Sequence, residues 1–488
     1  ALTGAPGLPP VWSFGLWMSR NSYVSWDVVE AVAEELRARD IPADVLHLDT
    51  AWFKQDWNCD LRFSEERFPE PEAHLRALRE RGFRVCLWQY NFVPPRADNA
   101  NYVEGVEKGY FVTGPDGAPY PCAGGVEGSW TDDLVIDFTN PEASAWYASQ
   151  IEALIRMGAS AIKADFGEGV PERGVYRNMD GLDMHNLYSL LYNATLNAAV
   201  KRADPDSVLW ARSGTAGSQR YPVHWGGDSQ CSWAGLAGTL RGALSMGLSG
   251  FPFYSHDVGG FIGRPDPELY IRWAQFGLFS SHARCHGAGN ENSREPWSFG
   301  DEAERVFRKF THLRYALLPY IYAEASKCVK SCKPMVRALV IEHPRDRNVY
   351  PIEDQYYFGD WLMIAPVLAP LSDAPKRGVY LPEGVWFDYW TRRMHRSRGE
   401  WIDVQLTLDE MPIFVRQGAI LAYAAPRKHT ANRVGDVVRI EGYGLPDGEH
   451  SLDVGEREIL VRVRGGRIEA DGVACESICT DRSESTFS

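Results

Sequence analysis

The chain has 488 residues, 44% hydrophobic and 24% charged, with a formal net charge of −14. That length exceeds one compact core and predicts two or three domains. The acidic balance argues against nucleic acid, whose binding needs clustered Lys and Arg, and no run of about 18 apolar residues offers a membrane span.

The chain opens ALTGAPGLPPVW, with no initiating Met and no basic stretch leading into an apolar core. No leader is visible, so the expected compartment is the cytoplasm, with the natural start upstream of Ala1. The nine cysteines are scattered and form no pair of CxxC knuckles, which predicts reduced thiols packed in cores. Seventeen tryptophans hint at flat faces for sugar rings, although large cores use Trp too.

In chain order, VWSFGLWM (11–18) reads as a strand and WDVVEAVAEELRARD (26–40) as a helix with Val28, Val29, Val32 and Leu36 on its apolar face. DVLHLD (44–49), RVCLWQY (84–90), SAIKADF (160–166), SVLWARS (207–213), PVHWGGD (222–228) and GFPFYSHDVGG (250–260) read as further strands or strand ends. Helices are expected over 71–82, 143–158, 185–202 and about 235–247, and LYIRWAQFGLFSS (269–281) completes the series. About eight strand–helix units imply parallel strands with right-handed crossovers, closing as a (β/α)₈ TIM barrel over 1–330. A doubly wound sheet is the alternative, but its Gly-rich first turn is missing: the first turn here is MSRNSY. The Pro- and Gly-rich segment 91–134 reads as a loop subdomain inserted after the third strand. Residues 331–425 turn β-rich and predict an antiparallel β-sandwich, and 426–488 a partial further β module with a polar tail.

In such a barrel, function sits at the C-terminal ends of the strands. The polar and aromatic residues expected there are Asp49, Trp88, Lys163, Asp165, Arg212, Asp228, His256 and Asp257, followed by His282, Arg284 and His286. In IKAD, Lys163 and Asp165 are two apart and share one side of a strand end. Metal hydrolysis is weakly signalled by His47 with Asp49 and by His282 with His286. No GxSxG elbow and no P-loop occur. Carboxylates at separate strand ends, with cationic and aromatic neighbours, fit glycoside cleavage best: one attacks the anomeric carbon, the other protonates the leaving oxygen.

IKADFGEG, ARSGTAG, PVHWGGDSQ, LSGFPFYSHDVGGF and SSHARCHG resemble the signature blocks of glycoside hydrolase family 31, the retaining α-glucosidases and α-xylosidases. SFGLWM, LHLDTAWF, FPEPEAHLRALRERGFRVCLW and VIDFTNPEA match as well, so the resemblance spans about 13–425, closest to the bacterial α-xylosidase branch. It implies Asp165 as nucleophile and Asp228 as acid/base. It implies substrate binding by Asp49, Trp88, Lys163, Arg212 and His286, and Phe166 and Trp225 can wall the sugar ring. Glu168 and Asp257 are read as orienting or supporting residues.

Only about a dozen residues precede the first strand in this sequence, so for the family's large β-sandwich ahead of the barrel the expectation is either that the chain is a fragment or that the loop this domain lends to the site is absent. Where the α-xylosidases carry a bulky aromatic after the LHxD motif, this chain has Thr50 and Ala51, and Ser22 stands where a second aromatic is expected, next to Tyr23. The expectation is an exo-acting α-glycosidase for a terminal α-xylosyl or α-glucosyl unit, needing no cofactor and no metal. Its partner is a small carbohydrate, with neither nucleic acid nor membrane, and self-association is left open. An α-glucan lyase, a transglycosidase and a non-catalytic sugar-binding relative are the alternatives.

Overall fold

The computed structural model describes residues 3–122, 132–289, 293–430, 433, 436–454, 457–470 and 472–478. Part of the expected insertion (123–131) and the polar tail (479–488), with Cys479, lie outside the described residues.

Parallel strands Leu16–Arg20, Val45–Leu48, Arg84–Tyr90, Ala161–Asp165, Val208–Ala211, Val223–Trp225 and Phe253–Ser255 follow one another in one sheet. On the far side of Leu16–Arg20 lie Ala283–Cys285 and then Asp257–Val258. The two ends of the sheet are therefore halves of one segment, 253–258, broken only at His256. The sheet closes on itself as an eight-membered barrel, the expected architecture.

Helices Trp26–Ala38, Pro71–Glu80, Pro141–Met157, Gly181–Ala203, Trp233–Leu248 and Pro267–Leu278 cover the outside. Their starts are written locally. Asn140, Asp180, Ser232 and Asp266 accept hydrogen bonds from first-turn N–H groups, and Pro141 and Pro267 bring a preset φ to positions that need no donor. Val29, Val32, Ala33 and Leu36 then bury one stripe of the first helix.

One expected strand is not found over its first residues. Val11–Phe14 is a 3₁₀ turn, and the strand begins only at Leu16. Pro9 and Pro10 supply no N–H for a ladder, and Trp12 finds a better place as a plug. It stacks on Trp17 at 5.8 Å and donates its indole N–H to the Asp206 carbonyl at 3.1 Å. With Val45, Cys86, Ala161, Val208, Trp210, Val223 and Trp225 these two rings fill the barrel interior. The stretch 269–281 is helical to Leu278, and the eighth strand position is taken by Ala283–Cys285.

The insertion after Arg84–Tyr90 carries the helix Ala100–Lys108 and the two-stranded pair Phe92–Val93 with Leu134–Val135. After helices Asp301–Ala316 and Leu318–Ser331, a six-stranded antiparallel sheet runs from Val336–Ala338 to Met394–Ser397. The pair Lys376–Leu381 and Glu400–Gln405 packs on it. Val379 and Leu381 from the pair meet Tyr357, Met363, Trp386 and Phe414 from the sheet in one apolar layer, so the two form a sandwich. Strand Ile420–Ala424 pairs with Val437–Tyr443 and so already belongs to the following sheets. Its period of two serves two cores: Leu421 and Tyr423 face the main core, Ile420 and Ala422 the last module. No helix among the described residues is long and apolar enough to cross a membrane.

Candidate active site

Strand register builds the site. Trp88 stands opposite Lys163, and Tyr90 opposite Asp165. Ala164 pairs Ala211, and the Arg212 N–H donates to the Ala164 carbonyl at 3.0 Å, which brings Arg212 beside Asp165. Asp49 follows directly on Leu48, the partner of Leu87, and so faces the same row as Trp88 and Lys163. Asp228 leaves its strand through Gly226 and Gly227. A side chain on Gly226 would meet the Tyr254 hydroxyl at 2.6 Å, so only glycine lets the chain turn this closely toward the site.

Asp165 is gripped on both oxygens. Its Oδ2 accepts the Trp88 indole N–H at 2.8 Å and lies 3.2 Å from Lys163 Nζ. Its Oδ1 accepts Arg212 Nη1 and the Phe166 backbone N–H, each at 2.9 Å. Burial alone would raise this carboxyl, but the Lys163 and Arg212 charges and these N–H donors outweigh it and hold it down at about 2. Phe166 sits in the left-handed region at φ 55°, local strain at the strand end. Its ring lies 4.1 Å under the Arg212 guanidinium.

Asp228 is the opposite case. Its side chain is 41% accessible. Protein crowds it elsewhere, and this desolvation, followed by the Asp165 charge, pushes it up to about 6 against the pull of Arg212. Arg212 Nη1 lies 3.8 Å from Asp228 Oδ2 as well as 2.9 Å from Asp165 Oδ1, so these oxygens are at most about 6.7 Å apart. That bound admits the roughly 5–5.5 Å separation required by double displacement. Glu168, half-exposed beyond the strand end, anchors Arg212 from behind through Nε at 2.6 Å and through Nη2.

The floor is a buried polar layer. Asp49 Oδ2 lies 3.0 Å from Lys163 Nζ, 3.2 Å from His47 Nε2 and 3.5 Å from His286 Nε2. Burial pushes the Asp49 carboxyl up to about 6, partly offset by Lys163. Burial, then the Lys163 and Arg284 charges, keep both imidazoles neutral, well below the ordinary histidine range. Burial works against the Lys163 charge too, but Asp165 and Asp49 outweigh it and keep the ammonium. Ser19 Oγ pairs His286 Nδ1 at 2.9 Å, leaving His286 Nε2 buried without a hydrogen-bond partner among the described residues. Such an orphaned atom suits a ligand hydroxyl. Trp225 is almost fully buried beneath this layer, with Lys163 and Arg284 over its ring at 4.9 and 5.0 Å. Asp257 is ion-paired with Arg284 in the same floor.

His47, Asp49 and His286 offer three atoms within 4.8 Å of one another, a spacing that could hold a metal ion. Lys163 already claims the shared carboxylate oxygen with a full positive charge, and a cation there would meet that charge at close range. The donor set suits sugar hydroxyls better.

The structure thus brings together Asp49, Trp88, Lys163, Asp165, Phe166, Arg212, Trp225, Asp228 and His286, with Asp257 and Arg284 in the floor; His282, expected with them, instead precedes its strand and packs on Phe14 at 4.6 Å, and His256 stacks on Phe276 of the outer helix at 4.3 Å. Sequence reasoning passed over Ser19, His47 as a floor residue, and Trp57. Trp57 packs edge-on to Trp88 at 5.1 Å and to Phe166 at 6.5 Å. His47 had a signal, a polar residue two before Asp49 in a buried strand. Trp57 lies in an irregular loop and had none.

A model described as the glycosyl hydrolases family 31 TIM-barrel domain matches residues 6–324, and the family's C-terminal domain matches 332–421. The chain is 36% identical over 441 residues to an alpha-xylosidase of Emericella nidulans, covering 86% of this chain and 54% of that protein. It is 35% identical over 500 residues to the alpha-xylosidase XylQ of Lactiplantibacillus pentosus, covering 96% and 62%. The chain therefore spans about half to three-fifths of the length of these relatives. Among solved structures, a Flavobacterium johnsoniae dextranase complexed with glucose superposes with a TM-score of 0.85 at 26% identity, over 96% of this chain and 62% of that one.

Proposed function

This chain belongs to glycoside hydrolase family 31, and from that premise we propose a retaining, exo-acting α-glycosidase that removes a terminal α-xylosyl or α-glucosyl unit. One observation carries the reading. Two carboxyls that share Arg212 are driven apart, Asp165 down to about 2 and Asp228 up to about 6. Paired titratable groups with opposed environments mark a nucleophile and an acid.

Asp165, ionised and aimed by Trp88, Lys163 and Arg212, attacks the anomeric carbon. Asp228, protonated below about 6, gives its proton to the leaving oxygen. The glycosyl–enzyme ester then breaks as Asp228, now the base, draws a proton from the incoming water. Asp49, Lys163 and His286 close the floor around one sugar, which supports cleavage at a chain end. Phe166 and Trp88 line its side, and Trp225 supports it from below.

Substrate class is supported from two directions. The relatives named alpha-xylosidase favour xylosyl units. The small, buried Ala51 and Ser22, and the glucose-bound dextranase neighbour, favour room for a hydroxymethyl group. Hydrolysis of aryl α-xyloside, α-glucoside and α-galactoside, with Asp165→Ala alongside, tests this. Release from the xyloside or glucoside, lost at least about 10⁴-fold in Asp165→Ala, is expected. No release from either by the folded chain, or full release by Asp165→Ala, overturns it.

A further inference from the structure

We propose a second, non-catalytic carbohydrate-binding cleft on the C-terminal sandwich, flanked by Trp401, that takes a neutral polysaccharide chain. Trp401 is 55% exposed, on the strand Glu400–Gln405. It pairs directly with Tyr380, so both rings stand on one face, with centroids 5.5 Å apart. Gly378, on the same face, withholds a side chain, and an atom added there would lie 3.7 Å from the indole. The ring therefore lies over bare backbone with one flat side turned to water.

Tyr380 joins the indole to a cleft of about 540 Å³. Its hydroxyl donates to Asp346 Oδ2 at 2.5 Å and accepts Asn348 Nδ2 at 3.2 Å. The turn between Met394–Ser397 and Glu400–Gln405 puts Arg398 and Gly399 on the cleft wall, two or three residues before Trp401. Trp401 itself does not line the cleft; its indole is joined to it through the ring contact with Tyr380, whose hydroxyl end lies on the cleft wall.

The lining chemistry identifies the ligand. Glu342 is already paired with Lys333 and Arg337, which leaves Asp346 and Glu383 opposite Arg345 and Arg398, two formal charges of each sign. Arg345, Glu383 and Arg398 make no ion pair among the described residues and remain available. Exposed, unshared planar donors and acceptors beside a flat aromatic face match a pyranose, whose C–H face stacks while its hydroxyls bridge guanidinium and carboxylate. A polyanion would meet the carboxylates of Asp346 and Glu383, and an apolar partner would strand four charges. The cleft lies on the sandwich, apart from the barrel's strand ends, and its reading does not depend on catalysis.

Native gel electrophoresis through soluble xyloglucan, dextran or polygalacturonate tests this, using Asp165→Ala protein so that the matrix is not consumed. At least one neutral polysaccharide is expected to retard Asp165→Ala. Adding Trp401→Ala or Arg398→Ala weakens that retardation at least tenfold, whereas Trp401→Tyr retains most of it. With Asp165 intact, Trp401→Ala keeps its aryl-glycoside kcat/KM within twofold and its melting temperature unchanged. Three results overturn the proposal: no retardation by xyloglucan or dextran, retardation untouched by both cleft substitutions, or retardation by polygalacturonate alone. Should the chain hydrolyse no aryl glycoside, the gel shift still decides this question separately.

Discussion

Arg212 is the residue on which the site's electrostatics turn, because it touches Asp165, Glu168 and Asp228 at once. The acid has to be protonated in the free enzyme, so kcat/KM falls as pH rises through about 6, where Asp228 loses its proton. Asp165 stays ionised down to about 2 and contributes no acidic limb above that value. Asp49 also titrates near 6, but it does not touch Glu168, so one substitution separates the two. Glu168→Gln removes the anion that shares the Arg212 charge and gives Asp228 more of it. The alkaline limb should move to lower pH, and kcat should drop about tenfold, roughly 1.4 kcal/mol. A pH–rate profile with an unmoved limb would leave Glu168 as a loop residue. At this scale the sequence was informative because each charged residue ends an apolar strand run. Ser19 escaped notice because a small hydroxyl in SFGLWMSR carries no charge to betray it.

The element that sets the geometry is the end of strand Ala161–Asp165 and the helix Gly181–Ala203 behind it. The Tyr192 hydroxyl donates to the Asp165 carbonyl at 3.2 Å and accepts Gln89 Nε2 at 2.8 Å, while the Tyr147 hydroxyl donates to Gln89 Oε1 at 2.7 Å. Directly beyond Phe166, Gly167 turns the chain at φ 98°, and a side chain there would come within 2.5 Å of Ser213 Oγ and 3.0 Å of Tyr192 Cδ1. Gly167→Ala therefore pushes the turn away from Tyr192 and drags Asp165 with it. A shift near 1 Å is worth about 100-fold in rate. Expected are a kcat reduced by about that factor, a lowered melting temperature, and a binding constant for a monosaccharide inhibitor that changes little. An unchanged kcat would show that the turn tolerates a side chain. Helices and strands were legible because their periods are local. Val11–Phe14 was not, since Trp12 obeys a packing partner, Trp17, and a carbonyl at Asp206, about two hundred residues away.

The whole molecule is tied together beneath the barrel. After strand Ile420–Ala424 the chain runs back under the N-terminal ends of the strands, where the Lys428 carbonyl accepts the Ala43 N–H at 3.1 Å. Buried Asp44 accepts the Thr430 backbone N–H at 3.0 Å and its hydroxyl at 2.6 Å, and also the Tyr315 hydroxyl. This joins the first barrel strands, the helix Asp301–Ala316 and the segment leading to the last sheets. Thr430→Ala should cost about 1–3 kcal/mol by leaving Asp44 short of a donor, read as a melting point lower by a few degrees with 25 °C activity intact. An unshifted melting curve would mean the strap adds nothing to stability. Barrel and sandwich were legible from the change in pattern near residue 330. Which pieces close the sheet was not, because closure depends on two short strands, Phe253–Ser255 and Asp257–Val258, pairing with neighbours on opposite sides.

The claim on which the account rests is that Asp165 attacks and Asp228 transfers the proton. Azide rescue of two variants on an activated aryl α-glycoside separates the roles. In Asp165→Ala, azide takes the nucleophile's place and displaces the aglycone once, so the product is the β-glycosyl azide. In Asp228→Ala, Asp165 still forms its ester and azide then opens it, so two inversions give the α-glycosyl azide. The account predicts this pair, read from the anomeric proton by NMR. The reverse pair, or rescue to the same anomer in both, would contradict it.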